Sequence, residues 1–424
     1  MATYNPIERS VARLLEQHPT LKSRIKRYYQ RSNYHLFRER GFEATAHPDA
    51  TVRTLAETFD CPPLSGEVFF GYFDKVPWSP SGERAVVHRV QDDRSTAEIV
   101  VLADGERTVI DETPLWNYQQ GAMTQWLPGP DATLIYNDLV DGEYGSRIVT
   151  PSGRPVRELT TPIQTVHPDG SQALSLNYRR LAAVRPEYGY TPPSERFDAE
   201  LPPTRDGLWW LDLETDESEL LVDLERLRRN QPRPEMADAT HWVNHALYAP
   251  GGARFVFMHR WEGDDGRFSR LYLGDRSGSL DLLLDTRIVS HYCWLDEDSL
   301  VVWGQGPEGE TGYYRVDVTE HTVEPFGDAE LNRYGDGHPS ISPNERVVVT
   351  DTYPDRARQR HLLLYDRVRE ETATLGRFLA PLEYEGETRC DLHPRWDRTG
   401  EAISIDSAHE GSRNTYVVEF GSET

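Results

Sequence analysis

Lysine is nearly absent: of 46 basic residues in 424, only Lys22, Lys26 and Lys75 are lysines and the rest are arginines. Against them stand 70 Asp and Glu, a formal charge of −24. A duplex-binding protein needs a basic face to neutralise phosphates, so nucleic acid is excluded as a partner. Excess carboxylate with arginine in place of lysine suits a halophilic chain kept soluble at high salt. Cysteine is equally scarce. Cys61, Cys293 and Cys390 are too few and too scattered for a disulfide framework or a cysteine zinc motif, which fits a reducing compartment. No apolar run reaches membrane-spanning length, and the N-terminal MATYNPIERS lacks a signal-type apolar region, so a cytoplasmic, soluble protein is expected. GxxxxGK[ST], a Rossmann glycine run and GxSxG are all missing, which removes the commonest nucleotide-binding and nucleophile-elbow chemistries. What is abundant is aromatic surface, 10 Trp and 21 Tyr, enough with this length to build a large core.

One short pattern recurs: an apolar or aromatic residue, a Pro/Gly/Asp turn, then an apolar strand. Its copies are WSPSGERAVVH from Trp78, WLPGPDATLIY from Trp126, VHPDGSQALSL from Val166, YAPGGARFVFM from Tyr248, WLDEDSLVVW from Trp294, ISPNERVVVT from Ile341 and RWDRTGEAISI from Arg395. The steps between them are 48, 40, 82, 46, 47 and 54 residues, mostly the period of a four-stranded propeller blade. The fold predicted is therefore all-β, a seven-bladed β-propeller over residues 61–424. The step of 82 is assigned to an insertion at about 179–205 containing RPEYGYTPPSERF, read as a loop. Residues 1–60 lie outside the repeat. Val11, Leu14 and Leu15, then Leu21 and Ile25, with Pro19 between, predict two helices in the one basic segment, a helical extension docked on the acidic propeller or contacting a membrane or partner.

In an antiparallel hairpin the start of the first strand lies opposite the turn. Aligning the copies on the turn residues Pro80, Pro128, Pro168, Pro250, Asp296, Pro343 and Arg398 and counting back five positions gives Lys75, Met123, Ile163, His245, His291, His338 and His393. Four of the chain's 14 histidines thus occupy one position in four successive blades, where innermost strands surround a channel. Converging imidazoles form a transition-metal site, with three of the four as the expected chelating set and Asp336, Asp391 and Asn244 placed to orient the rings. The alternative is that they plug the channel and bond to backbone across blades.

Other chemistry is expected on the same face. Asn117, Gln119, Gln120, Asn177, Arg180, His241, His409 and Arg413 are candidate contacts for an anionic, hydroxyl-rich ligand, joined by His259, Arg260, Tyr353 and Arg389. Asp351 and Asp406 read equally well as blade-to-blade hydrogen-bonding groups. Trp78, Trp116, Trp242, Trp261, Trp294 and Trp396 could stack on sugar rings, though propellers bury an aromatic at this place in the repeat.

The segments GYFDKVPWSPSG, WNYQQGAMTQWLP, LNYRRL with RPEYGY, HWVNH with FMHRW, DGHPS with DTYPD, and RCDLHPRW with DSAHEGSR resemble a family of microbial proteins encoded among polysaccharide genes, over about residues 66–417. More distantly the turn repeat resembles translocation-protein-like propellers and, through them, oligogalacturonate lyases, which hold a divalent metal at the channel mouth. The resemblance implies β-elimination on a uronate-containing, anionic oligo- or polysaccharide. A metal ion, Mn or Zn, on His245, His291, His338 and His393, helped by Arg260 or Arg389, would neutralise the uronate carboxylate. The candidate bases are Lys75, His259, Tyr188 and Tyr353, with Lys75 preferred as the only lysine of the propeller and a salt bridge to Asp74 as its alternative. Two other functions stay open: a glycoside hydrolase using two of Asp336, Asp391, Asp351 and Glu410, and a propeller that binds a glycan or protein without chemistry.

Overall fold

The computed structural model describes residues 19–37, 43–44, 50–91, 94–129, 132–190 and 202–420. Seven antiparallel sheets follow one another along the chain as the blades of a propeller. Blade one runs through Glu67–Phe69, Ala85–Val90, Ala97–Ala103 and Glu106–Thr113; blade two begins at Gln125–Trp126, blade three at Thr165–Val166 and blade four at Thr240–Tyr248. Blades five, six and seven begin at Val289–Trp294, Ser340–Ile341 and Arg395–Trp396. Each blade's first two strands are joined by one of the repeated turns. Two residues after the turn proline or its equivalent, Gly82, Gly170, Gly252, Glu345 and Gly400 all carry positive φ, so the turn chemistry of the repeat is conformational.

Blade seven is completed from the other end of the chain. Thr51–Thr54 pairs antiparallel with Asn414–Glu419, Thr51 opposite Glu419, and closes the ring. Glu43–Ala44 adds a fifth strand to blade six. Both strands precede position 60, within the stretch read from sequence as a helical extension. They were not legible because four residues of TVRT carry no alternation strong enough to mark a strand. Of the two expected N-terminal helices, the first lies outside the described residues. The second is a helix, Pro19–Phe37, with Ile25, Tyr28 and Leu36 exposed.

The tryptophans of the repeat bind blades together. The indole N–H of Trp126 donates to Pro77 O of blade one (2.7 Å), and that of Trp396 to Ser340 O of blade six (3.3 Å). Trp242 and Trp261 are buried, so packing and not sugar stacking accounts for them. The insertion in blade three opens with a helix, Tyr178–Val184, where composition predicted a loop. Asn177 caps it by accepting from Arg180 N at 3.0 Å, and Leu181 buries its inner side. Tyr190 then stacks on Tyr178 at 4.5 Å, which returns the chain to the propeller and sets Tyr188 at the channel mouth.

Candidate metal centre and arginine pocket

The aligned position is built to aim side chains into the channel. In blade four the pairing register shifts between Asn244 and Leu247, and in blade five between Val289 and Tyr292, so bulges sit at His245 and His291. Met123, His245 and His393 have φ of 55°, 48° and 45°, a left-handed backbone at the same repeat position of three blades. The result is convergence. His291 and His338 have ring centroids 4.2 Å apart, and His338 and His393 4.3 Å.

The axis of this ring is filled by Tyr72 and Phe73 from blade one. Phe73 lies 5.3, 5.8, 5.2 and 6.2 Å from His245, His291, His338 and His393. The segment is anchored from blade seven: Asp406 accepts from Phe70 N (3.0 Å) and Gly71 N (3.1 Å), and Arg395 Nε donates to Tyr72 O (3.0 Å). Gly71 is required, since at φ 129° a Cβ would stand 2.8 Å from the backbone of Gln120. Tyr72 faces one cavity and Phe73 another, so together they form a septum across the channel.

Among the described residues His338, Asp391 and His393 bring their ligand atoms within 4.8 Å of one another, close enough to hold a metal ion. Their surroundings fit that role. The Nε2 atoms of His338 and His393 are buried without a hydrogen-bond partner. The opposite nitrogens are held, His338 Nδ1 by Asp351 Oδ1 (2.8 Å) and His393 Nδ1 by Gly71 O (2.8 Å), the arrangement that fixes a metal-ligating tautomer. Burial, with the neighbouring His338, drives the His393 pKa well down. Burial also opposes a proton on His338, but the Asp351 carboxylate, with Asp391 and Asp336 beyond, outweighs it and raises the value. Against burial, Arg360 and Arg389 keep Asp391 ionised, with contacts of 2.7 and 2.6 Å. His245 and His291 are not part of this triad, although the His291 ring lies 4.2 Å from that of His338. His245 Nε2 lies 3.3 Å from Asp74, and His291 Nδ1 donates to Asp336 (2.9 Å), burial pulling His291 down to about 4.

Beside His291 opens a pocket of about 250 Å³ lined by Arg185, Arg260, Arg267 and Arg287 together with Tyr72, Tyr188 and Tyr353. Arg185 pairs with Glu187 (2.8 Å) and Arg267 with Glu262 (2.9 Å). Arg260 is different. It is buried, donates through Nη2 to Val289 O (3.2 Å), leaves Nε without a partner, and has no carboxylate partner among the described residues. Burial, followed by the neighbouring Arg185, lowers its pKa to about 10. A guanidinium kept in such a place calls for an anion. Arg389 joins the two regions, donating from Nη2 to Tyr188 Oη (2.9 Å) and from Nε to Asp391.

Several candidates from the sequence lie elsewhere. Lys75 pairs with Asp74 at 2.8 Å and lines a cavity of about 530 Å³ beyond the septum, not the arginine pocket. His259 alternates with Arg260 along its strand and so faces the other side of the sheet, where its Nε2 is 2.9 Å from His241 Nδ1; His241 Nε2 in turn donates to Met236 O. Asn177 and Arg180 are taken up by Asp206. His409 bonds Ser407 Oγ (2.9 Å) between Phe378 and Tyr416, and Arg413 pairs with Glu67 over the Tyr118 ring. Asn117 accepts from Gln119 N and Gln120 N and reaches Gly189 O, while Gln119 Nε2 donates to Arg389 O (2.9 Å). Gln120 is buried. Asn117 and Gln119 thus support the segments that carry Tyr188 and Arg389. Arg185, Arg267 and Arg287 went unnoticed in sequence because they share no repeat position, whereas the DLH spacing of Asp391 and His393 was a usable signal.

No protein-family model matches the chain, and no curated protein matches its sequence. Among solved structures it is similar to an oligogalacturonate lyase in complex with manganese, at 15% identity over 90% of this chain and 97% of that one, with a TM-score of 0.63. It is also similar to the oligogalacturonate lyase of Vibrio parahaemolyticus, at 14% identity over 90% and 97% of the two chains, with a TM-score of 0.58. The chain therefore shares with the oligogalacturonate lyases their propeller fold, seven blades here, at a distance that only structure detects.

Proposed function

We propose that the protein is a metal-assisted lyase that cleaves a uronate-containing oligosaccharide by β-elimination at this mouth of the channel. The observation that carries the proposal is Arg260, a buried cation with no carboxylate partner among the described residues, facing a pocket next to the His338–Asp391–His393 group. A divalent ion on that group, manganese being the choice suggested by the similar lyase, would supply positive charge to the uronate carboxylate as the adjacent C5 proton becomes acidic.

The chain's own groups do the remaining work. Arg260, with Arg185 and Arg287, holds the carboxylate and so orients C5 toward the tyrosines. Tyr188 acts as the base that takes the C5 proton, its Oη held in place by the hydrogen bond that Arg389 Nη2 donates. The C–H electron pair becomes the new C4–C5 double bond as the C4–O bond breaks. Tyr353 gives its proton to the departing oxygen, leaving a neutral alcohol. Tyr72 and Phe73 close the floor and keep water from crossing the channel.

The hydrolase alternative needs two carboxylates facing each other across the ligand. No Asp or Glu is among the residues lining the pocket, and Asp351, Asp391 and Asp336 are each engaged by histidine or arginine. The test is ultraviolet absorbance of the unsaturated uronate product over pectic, glucuronan and capsular oligosaccharides at high salt, with and without chelator. A rise abolished by chelator and restored by Mn²⁺ supports the lyase. Saccharides recovered intact across the panel, yet bound, would move the assignment to a glycan-binding propeller.

A further inference from the structure

The carboxylate of Asp351 is shared between two blades. Its Oδ1 accepts from His338 N (2.9 Å) and His338 Nδ1 (2.8 Å), both on the segment that enters blade six. Its Oδ2 accepts from Leu392 N (3.0 Å) and His393 N (3.2 Å), on the segment that enters blade seven. The side chain is fully buried, so no water competes for these bonds. His393 has a left-handed backbone, φ 45°, a conformation that costs energy unless outside contacts hold it. The neighbouring Gly337 admits Asp351 closely: a Cβ there would lie 2.0 Å from Asp351 O.

From this geometry we infer that Asp351 is the positioning residue of the metal centre, one carboxylate that sets both imidazoles before any ion arrives. It touches neither substrate nor ion. It fixes the His338 tautomer directly and the His393 backbone through two amides, so the two Nε2 atoms converge by construction. The inference rests on the proposed metal site and adds how that site is preorganised.

The experiment is calorimetric titration of Mn²⁺ into metal-free wild type and Asp351→Asn, with the melting temperature of each measured without metal. Asparagine presents one acceptor where the carboxylate presents two, so Mn²⁺ affinity is expected to fall about 10- to 100-fold. Asp351→Asn binding Mn²⁺ as tightly as wild type overturns the inference while leaving the metal site standing. Wild type that takes up no Mn²⁺ overturns the metal reading and the inference with it. Should Asp351→Asn fail to fold, hydrogen exchange of wild type decides. Protection of peptides spanning residues 337–340 and 390–394 in the metal-free protein supports preorganisation; protection gained only on adding Mn²⁺ overturns it.

Discussion

His393 Nδ1 donates to the carbonyl oxygen of Gly71 at 2.8 Å, so one bond ties an expected metal ligand of blade seven to the blade-one segment that blocks the channel. The septum and the metal centre are therefore one structure. Phe73 is buried against all four ring histidines. Phe73→Ala is expected to cost about 3–5 kcal/mol of stability, since the site is walled by rigid strand ends and collapses poorly. Phe73→Leu should cost less than half of that, and denaturant midpoints of the two variants check the order.

Arg260 offers a test in which stability and function move apart. Its buried charge has no carboxylate partner among the described residues, so replacing it with Met removes a desolvation cost. Arg260→Met is expected to hold or raise the melting temperature while lowering kcat/KM on a uronate substrate at least about 100-fold, as loss of a buried charge-assisted contact of ~3 kcal/mol requires. A variant that melts lower and turns over normally would remove Arg260 from the site.

Lys75 and Asp74 make the reverse case. Their side chains are 7% and 1% exposed and pair at 2.8 Å, with His245 alongside. Lys75→Met alone strands a buried carboxylate and is expected to destabilise by about 3–5 kcal/mol, whereas Asp74→Leu with Lys75→Met should be near neutral. A double-mutant cycle on unfolding free energies measures the coupling.

Acid sensitivity follows from His88, buried in the interface of blades one and two. Its Nδ1 donates to Phe70 O (2.8 Å) and its Nε2 accepts from Ala122 N (3.1 Å), so the folded protein needs it neutral. Burial lowers its pKa from 6.5 to about 4. Between those values the unfolded chain binds the proton and the folded one does not, so stability falls as pH drops from about 6.5 toward 4. The His88 share is on the order of 3 kcal/mol at the lower end. Urea unfolding of wild type and His88→Gln from pH 7 to 4.5 should show a shallower slope for the variant.

The blades were legible in the sequence because each is local: a turn with a left-handed residue at a set place, flanked by apolar strands, is repeated at a blade's spacing. Counting back from that turn found His338 and His393 for the same reason, since a hairpin carries its strand start to a known end. The closing strand Thr51–Thr54 could not be found this way, because its partner lies more than 360 residues off and a four-residue strand carries too little pattern of its own. The pocket was hidden by the same physics. Arg185 comes from the insertion in blade three, Arg260 and Arg267 from two paired strands of blade four, and Arg287 from the link to blade five, and only the docking of the insertion against blade four brings Arg185 to the others. Composition and repeat determined the propeller and its histidine ring. Tertiary packing alone decided that Phe73 would fill that ring and that Lys75 would face away from the pocket, because each depends on distances between segments that no local rule relates.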